Sequence, residues 1–105
     1  MDDRELAHIP ALELRELIAK KKVSPVEVTE LYYRRIEELD PQLNSYLTLD
    51  QDAAVATARE AEAAVQRGDE LGPLHGLPIS IKDLELSKGI RTTGGSLIYK
   101  DRIPE

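Results

Sequence analysis

Along the first two-thirds of the chain the apolar positions recur at helical spacing; beyond that, glycine and proline break them up. Leu14, Leu17, Ile18 and Lys21 share one face, which predicts a helix from Pro10 to Lys21. Lys20, Lys21 and Lys22 then sit where a helix C-terminus favours positive charge. Ser24-Pro25-Val26-Glu27 is a capping box with proline at the first helical position. The helix it starts carries Val28, Leu31, Tyr32, Arg35, Ile36 and Leu39 along one face. It is expected to stop at Asp40-Pro41, because proline disfavours helical geometry in the residue before it. Asn44-Ser45-Tyr46-Leu47-Thr48-Leu49 alternates polar and apolar side chains and reads as a short strand. Asp50 or Asp52 can cap a third helix ending at Gly68, with Ala54, Ala58, Ala61 and Val65 inward. Alanine buries little apolar area but lets another element approach closely, so this helix is built to lie against something larger. Ile79-Ser80-Ile81 begins a second strand, over 78–84, whose two-residue period turns Ser80 and Lys82 away from the core.

Composition narrows what such a chain can be. Its 105 residues hold one domain, and 41% apolar with 32% charged side chains suits a folded protein with a thin core. A net charge of −6 argues against nucleic acid or an anionic membrane as the main partner. The absence of cysteine removes disulfides, thiol catalysis and cysteine-based zinc sites together. No apolar run approaches a membrane span, and Met-Asp-Asp-Arg-Glu is the wrong start for a signal peptide, so a cytoplasmic setting is expected. Four tyrosines are the only aromatics, which disfavours base stacking or an aromatic cage. The charge is uneven: residues 1–70 hold sixteen acids and nine bases, and residues 71–105 hold four and five. All six glycines lie at or beyond Gly68. The expected organisation is therefore a helical portion over 1–70 with one short strand, then a strand and a glycine-rich loop over 71–105.

The second portion carries the candidate chemistry. Lys82, near the end of the predicted strand, has two readings. Spacing alone favours a surface lysine snorkelling out of the sheet. The sharper reading is a desolvated lysine whose lowered pKa leaves a neutral amine to act as a base. Asp83 follows it, and alternation points it to the opposite face, which leaves its role open. Lys88-Gly89-Ile90-Arg91-Thr92-Thr93-Gly94-Gly95-Ser96 invites a phosphate-cradling reading, but neither the Walker pattern nor Gly-x-Gly-x-x-Gly is present. A loop wrapping close to another backbone is the plainer account. His8 and His75 lack ligand-spaced partners, so no metal site is expected, and His75 in its turn suits a local hydrogen bond or a pocket rim. Tyr32 reads as a core or core-edge residue, and Tyr33-Arg34-Arg35 as a solvated cluster.

Leu74-His75-Gly76-Leu77-Pro78-Ile79-Ser80-Ile81-Lys82-Asp83-Leu84, followed by Gly89-Ile90-Arg91-Thr92-Thr93-Gly94-Gly95-Ser96, resembles the first conserved block of the amidase signature family. The helices before it, the Asn-Ser-Tyr segment and the alanine-rich stretch resemble that family's N-terminal region. The resemblance implies an α/β fold, a mixed central sheet covered by helices, of which residues 1–105 form one N-terminal segment. It implies amide hydrolysis or transfer by a serine nucleophile, a second serine beside a cis peptide bond, and a lysine. Lys82 stands at the position of that lysine. A neutral lysine in a dry pocket can take the serine's proton through the second serine and return one to the leaving amine. Backbone N–H groups of a glycine-rich loop can stabilise the tetrahedral oxyanion.

The paired-serine, glycine-rich segment that carries the family's nucleophile has no counterpart here. Gly94-Gly95-Ser96 matches the family's Thr-Thr-x-Gly-Ser element instead, so Ser96 reads as structural or pocket-lining. The expected account is an N-terminal piece of a longer amidase, inactive by itself, with a small-molecule amide as substrate and no cofactor. Its further partners would be the remainder of the parent chain or a second copy. Two alternatives stand beside it: the amide-transferring subunit of a tRNA-dependent amidotransferase, and an acidic helical interaction module without catalysis.

Overall fold

A computed structural model describes residues 1–105. Four α-helices, α1 (Asp3–Ala7), α2 (Ala11–Ala19), α3 (Pro25–Leu43) and α4 (Gln51–Arg67), precede a region of turns containing one 3₁₀ turn at Leu97–Tyr99. There is no strand.

α1 lies outside the predicted elements, although Asp2-Asp3-Arg4-Glu5 carries its signal. The Asp2 carboxylate accepts the Glu5 N–H at 2.8 Å and Glu5 accepts the Asp2 N–H at 3.0 Å, a reciprocal cap. α2 is shorter than predicted. Lys21 N–H donates to Ile18 O and Lys22 N–H to Leu17 O, and Lys21 takes the left-handed conformation at φ 59°. Lys21 is thus an exposed helix stop, not part of the core-facing row.

α3 starts as its capping box dictates: Glu27 N–H donates to Ser24 Oγ at 3.0 Å, and Ser24 N–H to Glu27 at 2.8 Å. The predicted stop at Asp40-Pro41 is overturned, since the helix runs on to Leu43. Asp40 holds this last turn twice, its carbonyl accepting the Asn44 N–H at 2.8 Å and its carboxylate the Ser45 N–H at 2.6 Å. Those bonds close the helix end in place of the one that proline cannot donate. Tyr32 lies at the core edge and donates its hydroxyl to Ala7 O at 2.9 Å. Of the Tyr33-Arg34-Arg35 cluster only Arg34 is exposed, paired with Asp3 at 3.0 Å. The Tyr33 phenol is held above its ordinary pKa, by burial first and the Asp50 charge second.

α4 is capped by Asp50, which accepts the Ala53 N–H, and ends at Gly68 with φ 77°. Ala58 and Val65 are buried and Ala54 and Ala61 half-buried, so the row faces inward as expected, and the helix packs on α3. The core is small. Leu14 and Ile18 of α2, Val28 of α3 and Val65 of α4 form its centre, with Leu6, Ile9, Val23, Tyr32, Leu71 and Leu77 packed around them.

Neither predicted strand forms. A strand is stabilised by a neighbour that pairs with its backbone, and an unpartnered extended segment has none. Residues 44–49 link α3 to α4, and a side chain serves the Leu47 carbonyl: Arg91 Nη1 donates to it at 3.1 Å. Residues 78–82 run exposed, and at Asp83 the chain enters a turn. The expected α/β architecture is therefore helical over these residues. No helix is long and apolar enough to cross a membrane.

Candidate functional site

The loop portion is anchored to the helices through Leu71–Leu77. Arg15 Nη2 donates to Leu71 O at 3.3 Å and to Gly72 O at 3.2 Å. His75 Nε2 lies 2.9 Å from Ala61 O, an acceptor only, so the imidazole donates there and ties the turn to α4. That is the local hydrogen-bonding role expected of it. Gly76 presses on the core at φ 79°; a Cβ there would lie 2.9 Å from Pro25 Cγ and 3.2 Å from Ile18 Cγ2. Leu77 packs beside it, and the chain then leaves the helices at Pro78.

Ile79, Ser80, Ile81 and Lys82 follow, all exposed. Lys82 takes part in none of the four ion pairs of the chain. Its carbonyl accepts the Glu85 N–H at 2.9 Å, which begins the turn after it. These 105 residues place no dry pocket around the amine.

Asp83 turns inward to the glycine loop. Its Oδ1 accepts the Thr93 N–H at 2.9 Å, and its Oδ2 accepts the Thr93 hydroxyl and, at 3.2 Å, the Gly95 N–H. Its main-chain carbonyl accepts the Gly94 N–H at 3.0 Å. The Thr93 and Gly95 N–H groups converge on the carboxylate and the Gly94 N–H between them on the carbonyl of the same residue, a nest-like curl made possible by the left-handed Gly94 and Gly95 at φ 60° and 72°. The phosphate-like cradle is thus occupied by the chain's own carboxylate. The same bonds leave none of these three N–H groups free for an oxyanion. The Thr93 hydroxyl first, and then the Thr93 and Gly95 N–H groups with the Arg91 charge, hold the Asp83 carboxyl below its ordinary pKa.

Two arginines brace this loop from behind. Thr92 N–H donates to Arg102 O and Arg102 Nε returns a bond to Thr92 O, both at 2.9 Å. The Arg102 guanidinium also stacks 4.2 Å from the centre of the Tyr99 ring. Arg91 bonds to Lys100 O and reaches Leu47 O, joining the loop to the α3–α4 link. Thr92 and Thr93 end up buried, at 2% and 4% exposure, in a region where nearly everything else is wet. Ser96 Oγ accepts the Ile98 N–H at 3.2 Å and caps the 3₁₀ turn, a structural task as expected. Sequence reasoning missed Asp83 as the organiser. Its signal was a Thr-Thr-Gly-Gly run, Thr92–Gly95, whose glycines can curl N–H groups around an anion, downstream of the Asp83 carboxylate.

Comparison with known proteins bears on this loop and on the helices before it. A model of the amidase family matches residues 27–105. One subunit of the glutamyl-tRNA(Gln) amidotransferase of Desulforamulus reducens is 39% identical over 100 residues, 95% of this chain and 21% of that protein. A Mycobacterium tuberculosis protein that carries the name amidase AmiD is 39% identical over 104 residues, 99% of this chain and 22% of that protein. The amidotransferase subunit of the same name from Koribacter versatilis is 42% identical over 89 residues, 85% of this chain and 18% of that protein. The chain spans about a fifth of the length of the curated relatives it matches.

Proposed function

The chain belongs to the amidase family, and from that premise we propose that it supplies the lysine of a serine-dependent amide-cleaving site, with Lys82 as general base. The reading is carried by the run Leu74–Leu84, which resembles the family's lysine block and lies wholly within the matched region 27–105. In this reading the neutral Lys82 amine accepts the nucleophilic serine's proton through a second serine and returns a proton to the departing amine. Both serines, the oxyanion donors and the walls that exclude water around Lys82 come from residues other than these 105. So do the strands that would pair with 78–84 and complete a mixed sheet. The substrate is a small-molecule amide.

The test is turnover by the polypeptide that carries this chain together with the region matching the rest of the relatives. Lys82→Met is expected to lower amide hydrolysis by about 10²–10⁴-fold, the range over which a positioned base acts. Wild-type turnover in that variant overturns the reading. So does measurable hydrolysis by residues 1–105 alone.

The amidotransferase relatives favour a second reading, an amide-transferring subunit with the same lysine. Activity that appears only with partner subunits marks that reading; hydrolysis of a free amide by the single polypeptide marks the first.

A further inference from the structure

We infer that Asp83 is the positioning residue for Lys82, fixing the main-chain position from which the lysine projects by clamping the glycine loop at Thr93–Gly95. This inference rests on Lys82 being the base. Before Lys82, residues 78–81 belong to no helix or strand and lie exposed, so within these 105 residues the lysine is tied down only from its C-terminal side. After it, both the main chain and the side chain of residue 83 are tied down. The Asp83 carbonyl takes the Gly94 N–H, and the carboxylate takes the Thr93 N–H, the Thr93 hydroxyl and the Gly95 N–H. The Lys82 carbonyl is itself bonded to the Glu85 N–H, so the peptide joining 82 to 83 is held from both sides. One trans peptide separates the two α-carbons, about 3.8 Å, so the clamp fixes where the Lys82 α-carbon sits and therefore where its side chain starts.

The clamp has a rigid footing. Thr92 and Thr93 are the buried residues of the loop region, and Arg102 pairs with both the N–H and the carbonyl of Thr92. Arg91 adds a positive charge near the carboxylate and ties the loop to Leu47. A base must lie within hydrogen-bond reach of the proton it takes, and a displacement near 1 Å far from the chemistry can cost about 100-fold in rate. The Asp83 carboxylate touches no reacting atom in this account. It acts through the backbone that it pins.

The experiment compares Asp83→Asn, Thr93→Val, Thr93→Ser and Lys82→Met in the active polypeptide carrying this chain. Thr93→Val keeps the volume of the buried side chain and removes the hydroxyl; Thr93→Ser keeps the hydroxyl. Asp83→Asn and Thr93→Val are expected to lower kcat by about 10–100-fold with KM little changed. They are also expected to shift the pH at which kcat/KM rises, because the lysine amine then sits in different surroundings. Thr93→Ser is expected to restore both the rate and the pH profile that Thr93→Val loses. Wild-type kcat and pH profile in Asp83→Asn and Thr93→Val, beside an inactive Lys82→Met, overturn this inference and leave the base assignment standing. An active Lys82→Met removes the base assignment and this inference with it. If Asp83→Asn fails to fold, the Thr93→Val and Thr93→Ser pair decides the matter. Equal rates and equal pH profiles in those two then count against the clamp.

Discussion

Asp83 and Gly76 each hold the loop portion in place, one by charge and one by lack of a side chain. The folded Asp83 carboxyl is held below its ordinary pKa by the Thr93 hydroxyl and the loop N–H groups. A lowered folded value means that the carboxylate's contribution to stability is complete above the ordinary carboxylate range and is lost as pH falls through the folded value. The amides of Thr93 and Gly95 are therefore expected to lose protection, measured against the intrinsic exchange rate at each pH, as the solution is acidified through that window. In Asp83→Asn the pH dependence of that protection should vanish, and amide exchange followed by NMR checks both statements. At Gly76 a Cβ would meet Pro25 at 2.9 Å while the backbone sits at φ 79°. Overpacking and left-handed strain act together, so Gly76→Ala is expected to destabilise the fold by about 2 kcal/mol or more, read from the denaturation midpoint.

Among the elements, α1, α3 and α4 begin where their side-chain caps stand, because such a cap is a local hydrogen bond between residues three apart. Ser24 and Glu27 satisfy two otherwise orphaned N–H groups of α3 and can do so whatever the rest of the chain does. Ser24→Ala is expected to cost about 1 kcal/mol, measured as a lowered unfolding free energy with unchanged helix content. The end of α3 was less legible than its start. Pro41 signals a stop, but the Asp40 carbonyl and carboxylate capture Asn44 and Ser45 and carry the helix one turn further. The strands at 44–49 and 78–84 were legible as patterns only. Alternation describes what a segment would bury if a partner lay alongside, and no partner lies there.

As a whole, the molecule buries few side chains: ten of its 105 residues, with the core between α2, α3 and α4. Ile79, Ile81, Leu84, Leu86, Leu97 and Ile98 are all more than half exposed. So much wet apolar surface beside so small a core leaves little margin over the conformational entropy that folding must overcome. Residues 1–105 by themselves are expected to unfold over a broad denaturant range and to self-associate as concentration rises. Chemical denaturation and sedimentation at two concentrations measure this. A steep transition with one concentration-independent monomer would contradict it.

Sequence alone determined the features that depend on neighbours along the chain. These are the cap of α3, the glycine stop of α4, the inward alanine row and the lysine block around Lys82. Each is fixed by side chains a few residues apart, so the order of residues carries the information. Tertiary structure decided what depends on residues brought together from afar. Asp83 meets Thr93 and Gly95, Arg91 reaches Leu47, and His75 finds Ala61 because the chain folds back on itself. Pairing also decided against both strands: a ladder needs a second backbone, and no spacing of side chains can supply one.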